Sequence, residues 1–142
     1  MTKDIVDIIV ITFNRIEYFK TFIEMLYLST KYPFRLIVVD NGSIDGTREW
    51  VVEKEKEGVI WKHVFNSENM KMAAAFSEGF KHVESELFLT TQDDITPPIL
   101  QGVDWLEVFV AKIKSDESIG CINFVASRQN FNEFNKKNRP RL

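Results

Sequence analysis

The sequence predicts an α/β fold in which helices cover both faces of an open, mainly parallel, twisted sheet. Short apolar runs rich in β-branched residues recur along the chain, as is typical of strands buried on both faces of a parallel sheet. Helical stretches separate these runs, and this alternation implies right-handed crossovers between the strands. The 142 residues are 44% hydrophobic and 27% charged, a composition that suits one globular domain and excludes a disordered chain.

Five apolar segments are the predicted strands. They cover residues 6–13, 35–40, 59–65, 87–92 and 119–125. We expect Cys121, in the last of them, to be a small buried hydrophobe. Trp50, Trp61 and Trp105 are expected to cover the sheet rather than to stack on a ligand.

Four helices are predicted between and after these strands. Asn14 is the predicted N-cap of the first helix, with Glu17 three residues later in a capping-box arrangement, and Pro33 stops that helix. The other three are predicted over residues 47–57, 72–83 and 100–114. The predicted order is therefore β-α-β-α-β-α-β-α-β.

Charge and cysteine content exclude several classes of protein. The 18 basic and 21 acidic residues give a net charge of −3, which argues against a nucleic-acid partner. One cysteine permits no internal disulfide, and with two histidines a zinc site is disfavoured. The N-terminal apolar run is too short for a signal peptide and contains Asp7, and nowhere do about 18 apolar residues occur in a row. We expect a cytoplasmic or membrane-peripheral protein.

Polar segments directly follow the first four predicted strands. They are residues 12–15, 40–47, 66–69 and 91–94. Ligands of open parallel sheets bind outside the carboxyl ends of the strands, near the point where the strand order reverses. We therefore expect these segments to form the functional site. No glycine-rich phosphate loop follows any strand, which disfavours the usual dinucleotide and P-loop sites.

Three acids in these segments suit a nucleotide held together with a divalent cation. Asp40 stands where a carboxylate would accept from a base N–H or from ribose hydroxyls. Asp93 and Asp94 offer hard oxygen ligands for Mg²⁺ or Mn²⁺, which would bridge diphosphate oxygens. Each signal has a structural alternative, because Asp-Asn-Gly-Ser segments form Asx-type turns and Asp-Asp pairs occur in solvated loops and helix caps.

Four motifs in this order resemble the signatures of glycosyltransferase family 2. They are IVITFNR at residues 9–15, VVDNGSIDGT at 38–47, NSEN at 66–69 and QDDITPP at 92–98. The likeness runs from about residue 6 to about residue 125. It implies the Rossmann-like GT-A fold and a nucleotide-diphosphate sugar donor bound with Mg²⁺ or Mn²⁺ at a DxD-type site. It also implies inverting transfer to a hydroxyl of a glycan, lipid or protein, as in polysaccharide or glycan biosynthesis.

The resemblance also assigns nucleotide contacts, position by position. It places Thr12 and Asn14 beside the nucleotide, with Thr12 contributing through its backbone. Asp40 becomes the contact to the base, with Asn41 beside it. Asn69 joins the nucleotide-binding residues from the segment after the third strand.

The acidic motif and its surroundings depart from the family pattern. Asp93 and Asp94 become the metal and ribose contacts. Asp94 is the metal ligand if Gln92 takes the first position of DxD, whereas Asp93 takes that role if the motif is a shorter DD pair. Gln92 replaces an acid, which would lower metal affinity. Lys71 stands where the family commonly has glycine, and it is either solvated or places its ammonium near the diphosphate.

The catalytic base of the implied reaction is not identified. Inverting transfer needs an acid that takes the proton of the acceptor hydroxyl, and family members carry it in a C-terminal half. Asp104 and the Asp116-Glu117 pair are expected on the solvated surface. We therefore divide the chain into a nucleotide-sugar-binding domain at residues 1–127 and a basic, asparagine-rich tail at 128–142. The tail is either a flexible terminus or the start of a missing acceptor half.

Three functions stay open at this point. The first is the donor-binding half of a family 2 glycosyltransferase. The second is a non-catalytic nucleotide-sugar-binding or assembly module, which Gln92 and the missing base favour. The third is a nucleotidyltransferase-like α/β protein, but that class needs a basic, glycine-rich loop after the first strand, where Arg15 is the sole basic residue. An exposed sheet edge would favour a homo-oligomer.

Overall fold

The computed structural model describes residues 5–123. Strands and helices alternate along this part of the chain: β1 (Val6–Thr12), α1 (Ile16–Ser29), β2 (Phe34–Asp40), α2 (Thr47–Lys56), β3 (Lys62–Phe65), α3 (Lys71–Phe80), β4 (Leu87–Gln92) and α4 (Trp105–Lys114). The strands form one parallel sheet in the order β3-β2-β1-β4. The predicted α/β fold is confirmed.

Helices cover both faces of this sheet. One face packs on α1, α2 and α4, and the other packs on α3. Core side chains of the first face include Ile8, Val10, Phe19, Val51 and Leu106, and those of the second include Ile9, Ile11 and Ala75. All seven residues of β1 are buried, which explains why five of them are apolar. Gly79 lets α3 approach closely, because a Cβ there would lie 2.6 Å from Cγ2 of Ile9.

The order of the strands reverses at β1. The chain adds β2 and β3 on one side of β1 and then places β4 on the other side. Thr12 is in register with Asp40, and Ile11 is in register with Gln92. The carboxyl ends of β1, β2 and β4 therefore meet at a topological switch point, where such sheets bind their ligands.

A buried ion pair fixes the opposite, amino edge of the sheet. Asp7 is fully buried and accepts from Arg35 Nε at 2.8 Å and Nη2 at 3.0 Å, and from the amides of Glu84 and Ser85. Burial alone would raise the pKa of Asp7, but these hydrogen bonds outweigh it and hold the pKa below its usual value. The Arg35 guanidinium also lies 3.7 Å from the centre of the Trp61 ring. Asp7 is thus an ionised, structural carboxylate.

The predicted fifth strand is wrong for residues 119–123, which form no strand. After α4, the side chain of Asp116 accepts from the amide and hydroxyl of Ser118 at 2.9 and 2.6 Å and makes a turn. Among the described residues no strand pairs with the outer edge of β4, and residues 119–123 pair with none of the four described strands. Cys121 is consequently exposed rather than buried. The end of the predicted strand, the boundary at 127 and the tail at 128–142 lie outside the described residues.

Two other expectations change for identifiable reasons. α4 begins at Trp105 rather than near residue 100 because Asp104 caps it, accepting from the amides of residues 106 and 107 and of residues 31 and 32. The expectation that Asp104 is a solvated acid is therefore wrong. Burial would raise the pKa of Asp104, but the backbone hydrogen bonds outweigh it and lower the pKa. β3 starts at Lys62, not at residue 59, because the amides of residues 59 and 60 donate to the end of α2.

The tryptophans are structural, as expected. Trp105 is buried and donates from Nε1 to Thr30 Oγ1 at 2.8 Å. Trp50 and Trp61 are partly buried and pack on opposite faces of the sheet. Within residues 5–123, none of the helices combines the length and the apolarity that crossing a bilayer requires.

Candidate functional site

The polar segments that follow the strands meet at the carboxyl edge, as predicted. The central contact joins β1 to the residue after β4. Thr12 Oγ1 donates to Asp93 Oδ2 at 2.8 Å, and both residues are buried. Burial raises the pKa of Asp93, and the hydrogen bond from Thr12 and the charge of Arg15 offset this only in part. A cation beside this carboxylate would therefore stabilise its ionised form.

Arg15 lies against both acids of the Asp93-Asp94 pair. Its Nη1 is 3.2 Å from Asp94 Oδ2 and 3.8 Å from Asp93 Oδ1. The Arg15 side chain is 52% exposed and that of Asp94 44%, whereas that of Asp93 is 4% exposed. Sequence reasoning missed this contact. The sequence does show that Arg15 follows β1 and that Asp94 follows β4. These two strands can be recognised as neighbours only once the order of the strands in the sheet is known.

The structure directs Gln92 away from the acidic pair. Its Nε2 lies 3.3 Å from the sulfur of Met72 in α3. In residues 5–123 no three or more His, Cys, Asp and Glu side chains are grouped as metal ligands. Mg²⁺ sites of the kind completed by substrate phosphates need only one or two carboxylates from the protein. Asp93 and Asp94 fit a cation of that kind, with the remaining ligands left to a diphosphate and water.

Asp40 is fully buried and already engaged by the protein. It accepts from the Ser43 amide at 3.1 and 3.3 Å, the Asx-type turn considered for this segment, and from Arg48 Nε at 2.7 Å. The Arg48 guanidinium also donates to the carbonyl of Asn66 and lies 5.1 Å from the centre of the Phe65 ring. Sequence reasoning also missed Arg48, the second residue of α2, whose side chain reaches back to Asp40 at the end of β2.

Asn14 does not cap α1, so the predicted capping box is wrong. Its backbone has φ 48°, its amide donates to Ser43 Oγ at 2.8 Å, and its Oδ1 accepts from the amide of Ile44 at 2.8 Å. The amide of Ile16 in the first turn donates instead to Asp45 Oδ2 at 2.9 Å. Asn14 therefore joins the loop after β1 to the loop after β2, at the edge where the resemblance places it.

Three asparagines connect the loops after β2 and β3. Asn41 Nδ2 donates to Asn69 Oδ1 at 2.8 Å, and Asn66 Nδ2 donates to Asn41 Oδ1 at 3.1 Å. Gly42 allows the loops to touch, because a Cβ there would lie 2.9 Å from the backbone of Glu68. The two predicted nucleotide contacts in this group, Asn41 and Asn69, thus also hold the loops together.

Lys71 begins α3 in a conformation that normally belongs to glycine. Its φ is 66°, and its amide donates to Asn69 Oδ1 at 3.0 Å. The residue is exposed. At the position where the resemblance implies a glycine, Lys71 thus has a left-handed backbone conformation, at a cost of about 1 kcal/mol or more.

A parallel sheet with polar groups gathered at its switch point is typical of α/β proteins that bind nucleotides. The model of one family, Glycosyl transferase family 2, matches residues 7–142. The chain belongs to this family. No curated protein sequence matches the chain.

Solved structures with the same fold include a mannosyltransferase and the protein TarS. PcManGT, a mannosyltransferase from Pyrobaculum calidifontis solved with GDP-Man and Mn²⁺, has a TM-score of 0.72 and 23% identity, with 90% of this chain and 37% of that chain covered. S. aureus TarS has a TM-score of 0.66 and 20% identity, and the match covers 89% of this chain and 23% of the TarS chain. A structure of TarS residues 1–349 with UDP-GlcNAc also has a TM-score of 0.66 and 20% identity. The match covers 87% of this chain and 37% of that TarS chain. The chain therefore spans well under half the length of these proteins.

Proposed function

We propose that this chain is the donor-binding part of a family 2 glycosyltransferase. It binds a nucleotide-diphosphate sugar at the carboxyl edge together with Mg²⁺ or Mn²⁺, and the sugar is transferred with inversion to an acceptor hydroxyl. The observation that carries the proposal is the Thr12–Asp93 hydrogen bond, because it brings the motif after β1 and the acidic motif after β4 into one buried contact. Membership of the family supplies the reaction class.

The acidic pair is the proposed cation site. Asp93 is held in place by Thr12, and Asp94 is accessible beside it. A cation held there would neutralise diphosphate oxygens and so stabilise the leaving group. The names of two structural neighbours, one solved with GDP-Man and Mn²⁺ and one with UDP-GlcNAc, support a nucleotide-sugar donor.

The loops after β1, β2 and β3 are the proposed nucleotide site. Side-chain hydrogen bonds of Asn14, Asn41 and Asn69 connect these loops to one another. They hold the backbone of the loops in place before a ligand arrives. Such preorganisation reduces the cost of binding. Asp40 would contact the base through Oδ1, whose bond from Ser43 is long at 3.3 Å, whereas Oδ2 is bound to Arg48; because Asp40 is fully buried, this contact requires a shift of the side chains that cover it. Lys71, exposed at the start of α3, would place its ammonium near the diphosphate.

A non-catalytic nucleotide-sugar-binding module is the second candidate. The aspartates at positions 104 and 116 are engaged in capping α4 and in the turn after it, so neither is placed to deprotonate an acceptor. Neither of these acids therefore supplies the base that turnover needs. Family membership disfavours the nucleotidyltransferase alternative.

Calorimetric titration with UDP, GDP and dTDP sugars tests donor binding. At least one sugar nucleotide should bind in the presence of Mn²⁺, and Asp94→Ala should weaken that binding. Glu117→Gln, which removes an exposed charge beyond α4, is the matched control and should bind like the parent. Binding of none of the three donors would refute the proposal. Binding without sugar transfer to any acceptor in a broad mixture would favour the non-catalytic module.

A further inference from the structure

We propose that Arg15 is a counter-cation built into the site, which a divalent cation replaces when the donor's diphosphate enters. Without donor, its guanidinium neutralises the Asp93-Asp94 pair. With donor, the guanidinium moves to the diphosphate and the divalent cation takes its place on the carboxylates. This inference rests on the proposed function and adds to it a residue that couples the binding of the cation to the binding of the donor.

The position of Arg15 is the first observation that supports this role. One nitrogen, Nη1, faces both carboxylates, at 3.2 Å from Asp94 and 3.8 Å from Asp93. Thr12 occupies Asp93 Oδ2, so a cation on this pair would use Asp93 Oδ1, one of the two oxygens that Arg15 faces. A guanidinium and a divalent cation on the same oxygens would repel each other strongly at such distances. Arg15 must therefore leave before a divalent cation binds there.

The second observation is that the backbone of Arg15 is held by hydrogen bonds while half of its side-chain surface is exposed. The preceding residue, Asn14, is bound through its amide and its side chain to the loop after β2. The carbonyl of Arg15 accepts from the amide of Phe19 at 2.9 Å in the first turn of α1. The side chain, in contrast, is 52% exposed. A long side chain on a fixed backbone can move from the carboxylates to a ligand beside them.

The chemistry of the guanidinium favours a diphosphate as its second partner. Its planar fork of N–H groups matches phosphate oxygens, often with two hydrogen bonds at once. An entering diphosphate would attract Arg15 away from the acidic pair and so expose the carboxylates to the divalent cation. Each ligand then strengthens the binding of the other by the same factor. A static surface ion pair between Arg15 and Asp94 would produce no such coupling.

The test is the affinity for Mn²⁺, measured from the electron paramagnetic resonance signal of free Mn²⁺, with and without UDP or GDP. Arg15→Gln removes the guanidinium charge. Lys20→Gln removes one exposed charge from α1, where Lys20 pairs with Glu17 at 3.2 Å, and is the matched control. Arg15→Gln should bind Mn²⁺ alone roughly fivefold more tightly than the parent, as expected for a pair that is partly exposed. The factor by which UDP or GDP strengthens Mn²⁺ binding should fall by a similar amount.

Lys20→Gln should match the parent in both measurements. The inference is overturned if Arg15→Gln leaves the Mn²⁺ affinity unchanged, if neither protein binds Mn²⁺, or if the parent binds the nucleotide and Arg15→Gln tightens Mn²⁺ binding while the coupling to the nucleotide is unaltered. Failure of the proposed function would be distinguishable. In that case no UDP, GDP or dTDP sugar would bind to the parent, while Arg15→Gln would still tighten the binding of Mn²⁺ alone.

Discussion

Thr12 Oγ1 and Asp93 Oδ2 are hydrogen-bonded at 2.8 Å although they lie 81 positions apart in the chain. This bond joins the carboxyl ends of two neighbouring strands, β1 and β4, and both of its residues are buried. It orients a carboxylate whose pKa is raised by burial. Thr12 is therefore a positioning residue for the proposed cation site, in addition to the backbone contact that the resemblance implies.

Replacing Thr12 tests this positioning role. Thr12→Val keeps the shape of the side chain but removes the donor, leaving a buried carboxylate oxygen without its partner, which costs about 1–3 kcal/mol of stability. Without the donor, the pKa of Asp93 should rise further, so Mn²⁺ binding should weaken more steeply as the pH is lowered. Thr12→Ser retains the hydroxyl and should keep most of both properties. Equal stability and equal Mn²⁺ affinity of the two variants in urea and binding titrations would contradict the role.

The buried Asp7–Arg35 pair predicts a loss of stability in acid. The pKa of Asp7 is lower in the folded protein than in the unfolded chain, so the unfolded chain binds the proton more readily. The contribution of Asp7 is therefore complete above the unfolded pKa of about 3.9 and is lost as the pH falls through the lower, folded pKa. Asp7→Asn should cost about 3 kcal/mol at pH 7, because it leaves Arg35 without its buried partner.

Urea unfolding of Asp7→Asn and of the parent between pH 7 and pH 2 checks this sign. The difference between the two proteins should shrink as the pH falls. The exposed-acid variant Glu117→Gln should follow the parent throughout. A stability difference that stays constant over this range would show that the ionisation of Asp7 is irrelevant to folding.

Gly42 should tolerate substitution less well than Gly58. Both have positive φ, 93° and 78°, but a Cβ on Gly42 would lie 2.9 Å from the backbone of Glu68, whereas a Cβ on Gly58 would meet nothing within 4 Å. Gly58→Ala should cost about 1 kcal/mol for backbone strain alone. Gly42→Ala should cost more and should also weaken donor binding, because the two site loops must separate. Equal costs in thermal unfolding would refute the close approach of these loops.

Two substitutions of Lys71 separate its charge from its backbone strain. Lys71→Ala removes the ammonium and keeps a side chain at φ 66°, whereas Lys71→Gly removes the ammonium and relieves the strain. Lys71→Gly should be more stable than Lys71→Ala by about 1 kcal/mol. If the ammonium contacts the diphosphate, both variants should bind the donor equally weakly in calorimetry. Unchanged donor affinity in Lys71→Ala would leave Lys71 as a solvated side chain.

The central strands and the place of the site could be predicted because they depend on local sequence. β1 and β2 have apolar central residues, Ile8–Ile11 and Leu36–Val39, and polar residues follow each of these runs directly. The fifth strand could not be judged in this way. An apolar run as short as residues 119–123 becomes a strand only when a neighbouring strand pairs with it, and its own sequence does not contain that information.

The contacts of the site depend on the order of the strands, which the sequence does not display. Arg15 meets Asp94 only because β4 lies beside β1, and Arg48 meets Asp40 only because α2 packs back over β2. Asn14 was predicted as a cap from its spacing to Glu17, but the neighbouring loop offers Ser43 and Ile44 as partners. Tertiary hydrogen bonds replaced the local one.

The most direct test of the central claim is where a bound cation lies on the sheet. Amide signals of the ¹⁵N-labelled chain would be recorded in two samples, one containing nucleotide sugar and Mg²⁺ and the other containing the same nucleotide sugar and substoichiometric Mn²⁺. Mn²⁺ is paramagnetic and broadens the signals of nearby nuclei, so the comparison shows which residues lie near the cation. Thr12 at the carboxyl edge and Asp7 at the amino edge are separated by about 16 Å along β1, at about 3.3 Å per residue. We predict that the signals of Thr12, Arg15 and Asp93 disappear first while those of Asp7 and Arg35 persist. Broadening centred on the amino edge, or equal broadening of all signals, would contradict a donor and cation site at the carboxyl edge.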